Sequence, residues 1–85
     1  MSVGIEKLQP GDRARVVGYG GSDKEYRGKL LSMGLTRGTV VQFVKRAPLG
    51  DPVEIEVRGF ALTLRRAEAR ILELELVGKE AEHAG

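Results

Sequence analysis

Two five-residue runs, Val53–Val57 and Phe60–Leu64, are separated only by Arg58-Gly59. A two-residue connection with glycine second suits a primed β-turn, whose twist matches that of the strands it joins. That loop length fixes the pairing. Val57 faces Phe60, Ile55 faces Leu62 and Val53 faces Leu64, so every pair on one face is apolar. The other face pairs Glu56 with Ala61 and Glu54 with Thr63. The apolar face, Phe60 included, is expected in the core. A slip of one residue would bury both glutamates.

The remaining elements are read around this hairpin. Gln9-Pro10-Gly11-Asp12 has turn chemistry, with proline presetting φ and glycine permitting positive φ. Residues 13–19, RARVVGY, form a strand whose interior Gly18 signals a bulge or a strand end. A helix is predicted over residues 23–33, since Tyr26, Leu30 and Met33 share one helical face. Ser22 and Glu25 have capping-box spacing, and Gly34 suits a left-handed stop. Gly28 within it costs about 1 kcal/mol relative to alanine and suggests close approach to a strand. A turn at residues 35–38 leads to a β-branched strand, 39–46. RRAEAR, residues 65–70, is a helical turn, and residues 71–77 return to strand with Leu72, Leu74 and Leu76 alternating with Glu73 and Glu75. The expected class is mainly β: five short strands in a small barrel, which removes open edges. One α-helix follows the first strand and a helical turn precedes the last. Residues 1–77 form the domain and residues 78–85 a flexible tail.

With 85 residues the chain makes one small domain with a thin core. There is no cysteine, which excludes disulfides and thiolate metal sites and suits a reducing cytoplasm. No apolar run approaches the roughly 18 residues of a membrane helix, so a cytoplasmic protein is expected. Net charge is +2, with the signs interleaved, whereas a nucleic-acid binder concentrates its basic residues on one face. His83, the only histidine, falls in the tail, so Ser2, Ser22 and Ser32 have no base. The pairs Glu54/Glu56 and Glu73/Glu75 read as wet strand faces. Asp51, Glu54, Glu56 and Glu68 are the carboxylates that a metal could use, but no spacing matches a calcium loop. No phosphate loop is present, and Gly18-Tyr19-Gly20-Gly21 reads as a hinge into the helix. No catalytic group, cofactor or metal site is predicted.

Recognition remains, and it centres on APLGDP, residues 47–52. Pro48 and Pro52 fix their own φ and restrict Ala47 and Asp51. Gly50 supplies the turn. A loop so constrained loses little entropy on binding. Leu49 has two readings: it folds back to cap one barrel end, or it stands out as a contact.

The order of these pieces resembles a known family. Leu8-Gln9-Pro10-Gly11 precedes the first strand. LLSMGLTRGTVV, residues 30–41, ends the helix, and RAPLGDPVEIEVRGFALTLRRAEA, residues 46–69, follows. Together they resemble FeoA, the small cytoplasmic partner of the bacterial ferrous-iron transport system. The resemblance covers about residues 5–77. It implies an SH3-like barrel, no enzymatic reaction of its own, and a role beside FeoB, the membrane transporter with a cytoplasmic G-protein domain. A similar module closes repressors of the diphtheria-toxin-repressor type.

The resulting expectation is a non-enzymatic accessory protein of ferrous-iron uptake that contacts the cytoplasmic part of FeoB. The expected contact residues are Tyr26, Arg27, Lys45, Arg46, Pro48 and Leu49, with the basic ones orienting an acidic partner. The alternatives are a nucleic-acid-binding or a metal-sensing SH3-like module of a regulator.

Overall fold

The computed structural model describes residues 2–21 and 24–79. The strands are β1 (Asp12–Tyr19), β2 (Val40–Arg46), β3 (Val53–Val57), β4 (Phe60–Leu64) and β5 (Leu72–Lys79). Helix α1 (Lys24–Ser32) follows β1, and the single turn α2 (Arg66–Ala69) precedes β5. A 3-10 turn at Ile5–Lys7 lies before β1.

The hairpin has the register that its turn length dictates. Val57 pairs with Phe60, Ile55 with Leu62 and Val53 with Leu64. Arg58 and Gly59 both take positive φ, 52° and 85°, as a type I′ turn requires. β2 adds to β3, β1 to β2 and β5 to β1, all antiparallel, giving the order β4-β3-β2-β1-β5. The result is an SH3-like barrel in which, among the described residues, no ladder joins β4 to β5, so closure does not remove the edges as expected. Val3 covers part of the β5 edge by exchanging two backbone hydrogen bonds with Leu74.

The core draws on every strand. Ala14, Val16, Val41, Phe43, Ile55, Leu64, Leu72 and Leu74 are fully or almost fully buried, joined by Leu8, Leu30 and Leu35 from the connections. Phe60 is the exception to the expected core face: it is 73% exposed, while its pair Val57 is 5% exposed. β3 is an interior strand, with β2 on its far side. Among the described residues β4 has no strand beyond it, and Phe60 stands at the turn end of that edge. Leu76 is likewise half exposed.

Tight turns position the rest. Gly11, at φ 93°, closes the lead-in turn, and the Gln9 N–H donates to the Asp12 carboxylate at 2.9 Å. The β1–β5 register shifts between Val16 and Gly18, the predicted bulge. The bare Gly18 Cα accommodates the Glu73 carboxylate: a Cβ there would lie 2.7 Å from its Oε1. α1 ends in a Schellman motif. The Leu35 N–H donates to the Leu30 carbonyl and the Gly34 N–H to the Leu31 carbonyl, each at 3.0 Å, with Gly34 at φ 89°. Leu30 and Leu35, the positions from which such a motif makes its apolar contact, are both in the core. The following turn closes at Thr36–Thr39, one residue later than expected, with Gly38 at φ 91°. Tyr26 and Met33 flank buried Leu30 as the helical face predicts. Gly28 does not approach a strand, because its missing side chain faces open space. The Ser22 cap and the tail residues 80–85, His83 among them, lie outside the described residues. β5 itself runs past Val77 to Lys79.

Candidate functional site

The connection between β2 and β3 is the APLGDP segment. Its geometry follows from its residues. Pro48 and Leu49 occupy the centre of a turn closed by the Gly50 N–H donating to the Ala47 carbonyl at 2.7 Å. The Ala47 N–H donates to the Pro52 carbonyl at 2.9 Å, which ties the two ends together. Gly50 takes φ 85°, a conformation that side chains disfavour. The Asp51 carboxylate accepts the Arg66 backbone N–H at 2.9 Å, anchoring the loop to α2. Leu49 at the tip is 90% exposed. The alternative in which it folds back to cap the barrel is overturned, since a residue at the centre of this turn points away from the strands that the turn joins.

The other expected contact residues are not all equivalent. Lys45, Arg46, Ala47, Pro48 and Pro52 line a groove of about 330 Å³ with Val53, Glu54 and Thr63. Lys45 and Pro48 are exposed there. Arg46 is committed within the chain. Its Nη2 donates to the Ile5 and Leu8 carbonyls at 3.3 and 3.1 Å, and its guanidinium lies 4.5 Å from the Phe43 ring centroid. It therefore straps the lead-in segment onto β2. Tyr26 is half-buried on α1 and Arg27 is exposed there. α1 and the loop are linked through α2, by Lys29 bonded to Glu68 on one side and Asp51 bonded to the Arg66 backbone on the other.

Glu68 carries the main electrostatic feature. It is 3% exposed, accepts the Arg65 N–H at 3.0 Å and forms an ion pair with Lys29. The Lys29 hydrogen bond holds its carboxyl below the ordinary range, with burial acting against it and the Arg65 bond adding to it. Glu68 is thus a helix cap and a tie between helices. Among the described residues, no group of three or more His, Cys, Asp or Glu side chains could hold a metal ion.

A second cleft, of about 750 Å³, adjoins the loop at Gly50. Arg46, Arg66 and Arg70 converge on it, with Ile5, Val53 and Gly50. Sequence reasoning passed over it. The signal that could have found it is the pair of arginines four apart in RRAEAR, which share a face once α2 forms.

A curled five-stranded antiparallel sheet with short helical segments, presenting a stiff loop and a basic cleft, defines a small SH3-like domain. The FeoA domain family matches residues 3–76, and the chain belongs to that family. The family is tied to ferrous-iron transport. A relative from Porphyromonas gingivalis, a fusion of Fe(2+) transport protein A with the Fe(2+) transporter FeoB, is 34% identical over 77 residues. The match covers 91% of this chain and 9% of that relative's length. The solved structure of a FeoA-like protein from Clostridium acetobutylicum is similar at TM-score 0.81 and 28% identity, over 99% of this chain and 96% of that one. A zinc-complexed FeoA from Stenotrophomonas maltophilia, described as a prokaryotic SH3 domain protein, agrees in fold at TM-score 0.71 and 22% identity, over 88% and 89% of the two chains. No helix among the described residues is long and apolar enough to cross a membrane.

Proposed function

We propose that this chain is a non-enzymatic accessory module of ferrous-iron uptake that docks on the cytoplasmic part of a FeoB-like transporter. The observation that carries the contact is Leu49, 90% exposed at the tip of a turn held by two backbone hydrogen bonds and flanked by prolines. Such a loop is already in one shape, so docking costs little ordering. Leu49 and Pro48 supply apolar area, and Lys45 with Arg27 steers an acidic surface toward it. The fused relative supports the choice of partner, because in that protein Fe(2+) transport protein A and FeoB share one chain. Tyr26 extends the contact along α1, while Arg46 contributes by holding the base of the loop.

The test is calorimetric titration of the full chain into the cytoplasmic domain of the transporter from the same organism. Leu49→Ser is expected to weaken binding by about 2 kcal/mol, as loss of an interface anchor does, with an unchanged melting temperature. Absence of binding by the unaltered chain would sink the reading.

A further inference from the structure

We infer that the cleft between the loop and α2 is a docking groove for an acidic, extended segment of a partner protein. Three guanidinium groups, those of Arg46, Arg66 and Arg70, line it against one acidic residue, Glu6. Arg66 and Arg70 are both exposed. Among the described residues neither side chain has a carboxylate partner, unlike Arg15, paired with Glu75, and Lys29, paired with Glu68. Like charges four residues apart on a helical turn repel; Glu6 is the acidic residue that lines the cleft, and the nearby Asp51 carboxylate is bound to the Arg66 backbone N–H. Arg46 adds a fixed charge, because its strap to Ile5 and Leu8 and its stack on Phe43 hold the guanidinium in place. Planar guanidinium forks match carboxylates in pairs.

The shape of the cleft selects the occupant. Ile5 and Val53 give it apolar walls, and no lining residue is aromatic. Single-stranded nucleic acid wants aromatic faces on which to stack bases. Gly50 lines the cleft and adjoins Leu49 in the chain, so the basic groove runs into the exposed loop tip. A segment with spaced carboxylates and an apolar side chain satisfies both parts at once. This deepens the docking reading by naming the chemistry of the partner segment, and rests on it only for the identity of the partner.

The test is an amide chemical-shift titration of the full chain with the capped peptide acetyl-Glu-Glu-Leu-Glu-Glu-amide. The same peptide with glutamine in place of glutamate, inorganic phosphate and a single-stranded DNA oligomer serve as comparisons. Shifts are expected at Ile5, Gly50, Val53, Arg66 and Arg70 with the acidic peptide, and not with its glutamine counterpart. Arg66→Glu with Arg70→Glu should weaken the peptide at least about tenfold, since two exposed pairs are replaced by repulsion. Arg66→Gln with Arg70→Gln, which removes charge without reversing it, should weaken it less and melt normally. Shifts centred instead on Arg13 and Arg58, which line a separate pocket beside Val40 and Val41, or an affinity indifferent to both double variants, overturn the proposal. So does tighter binding of phosphate or of the DNA oligomer at the same amides. The transporter's cytoplasmic domain is titrated in parallel. If it fails to bind while the peptide binds as expected, the choice of transporter is wrong and the groove stands.

Discussion

Arg46 closes a strand, and its Nη2 donates to two backbone carbonyls of the lead-in segment. Arg46→Ala is therefore expected to lower stability by about 1–2 kcal/mol, since charged hydrogen bonds to neutral acceptors are lost at a partly exposed site. Arg46→Lys should recover only part of that, because an ammonium cannot reach two carbonyls and stack on Phe43 together. Chemical denaturation of both variants checks it. The two phenylalanines make a sharper contrast. Phe43→Ala empties a fully buried site and should cost about 3–5 kcal/mol, enough to unfold most of a domain this small. Phe60→Ala, at a site 73% exposed, should cost within about 1 kcal/mol. A thermal melt showing equal losses would mean that β4 is covered along its outer side. The pairing of Phe60 with Val57 was legible in the sequence because two turn residues fix it. Its exposure was not, because an edge strand and an interior strand carry the same local pattern.

At the scale of elements, the helices are set by their ends. Gly34→Ala places a Cβ at φ 89° and should cost about 1 kcal/mol, the order of the left-handed penalty for an L-residue. Comparing its melt with that of Gly28→Ala tests the assignment. Gly28 is in mid-helix with open space around it, so alanine there should stabilise by up to about 1 kcal/mol. Glu68 joins the two helices and gives a pH dependence. Its folded carboxyl lies below the ordinary value of 4.5, chiefly because of Lys29. The unfolded chain therefore binds this proton more readily than the folded one. The stability due to ionised Glu68 is fully present above that ordinary value and is lost as pH falls through the lower folded one. Glu68→Gln keeps an acceptor for the Arg65 N–H and removes the charge. The stability gap between the two proteins, followed by urea melts, should narrow as pH drops from about 5 to about 3. A gap constant across that range would show that Lys29 does not hold the carboxylate in solution. The sequence marked RRAEAR as a helical turn but gave no hint that Glu68 would be buried, since its partner lies 39 residues away.

For the whole molecule, the hairpin and the stiff loop sit at opposite ends of β3, so a change at one should leave the other intact. Leu49→Ser with Phe60→Ala is expected to melt as Phe60→Ala alone does, because distant sites add, while carrying the full binding loss of Leu49→Ser. Calorimetry and thermal melts on the same samples check both halves. By itself the sequence determined what adjacent residues determine: the hairpin register from a two-residue turn, the bulge at Gly18, the helix stop at Gly34, the five strands and the stiffness of residues 47–52. Each is a matter of φ, ψ and period 2 or 3.6, settled within a few residues of chain. The order of the pieces also carried the resemblance to the FeoA family. Only the tertiary structure decided which strand became an edge, that Arg46 turns back on Ile5 and Leu8, and that Arg66 and Arg70 meet it across one cleft. The Arg46 strap joins residues about 40 apart in the chain. Burial and charge proximity are properties of that packing, not of the local chain.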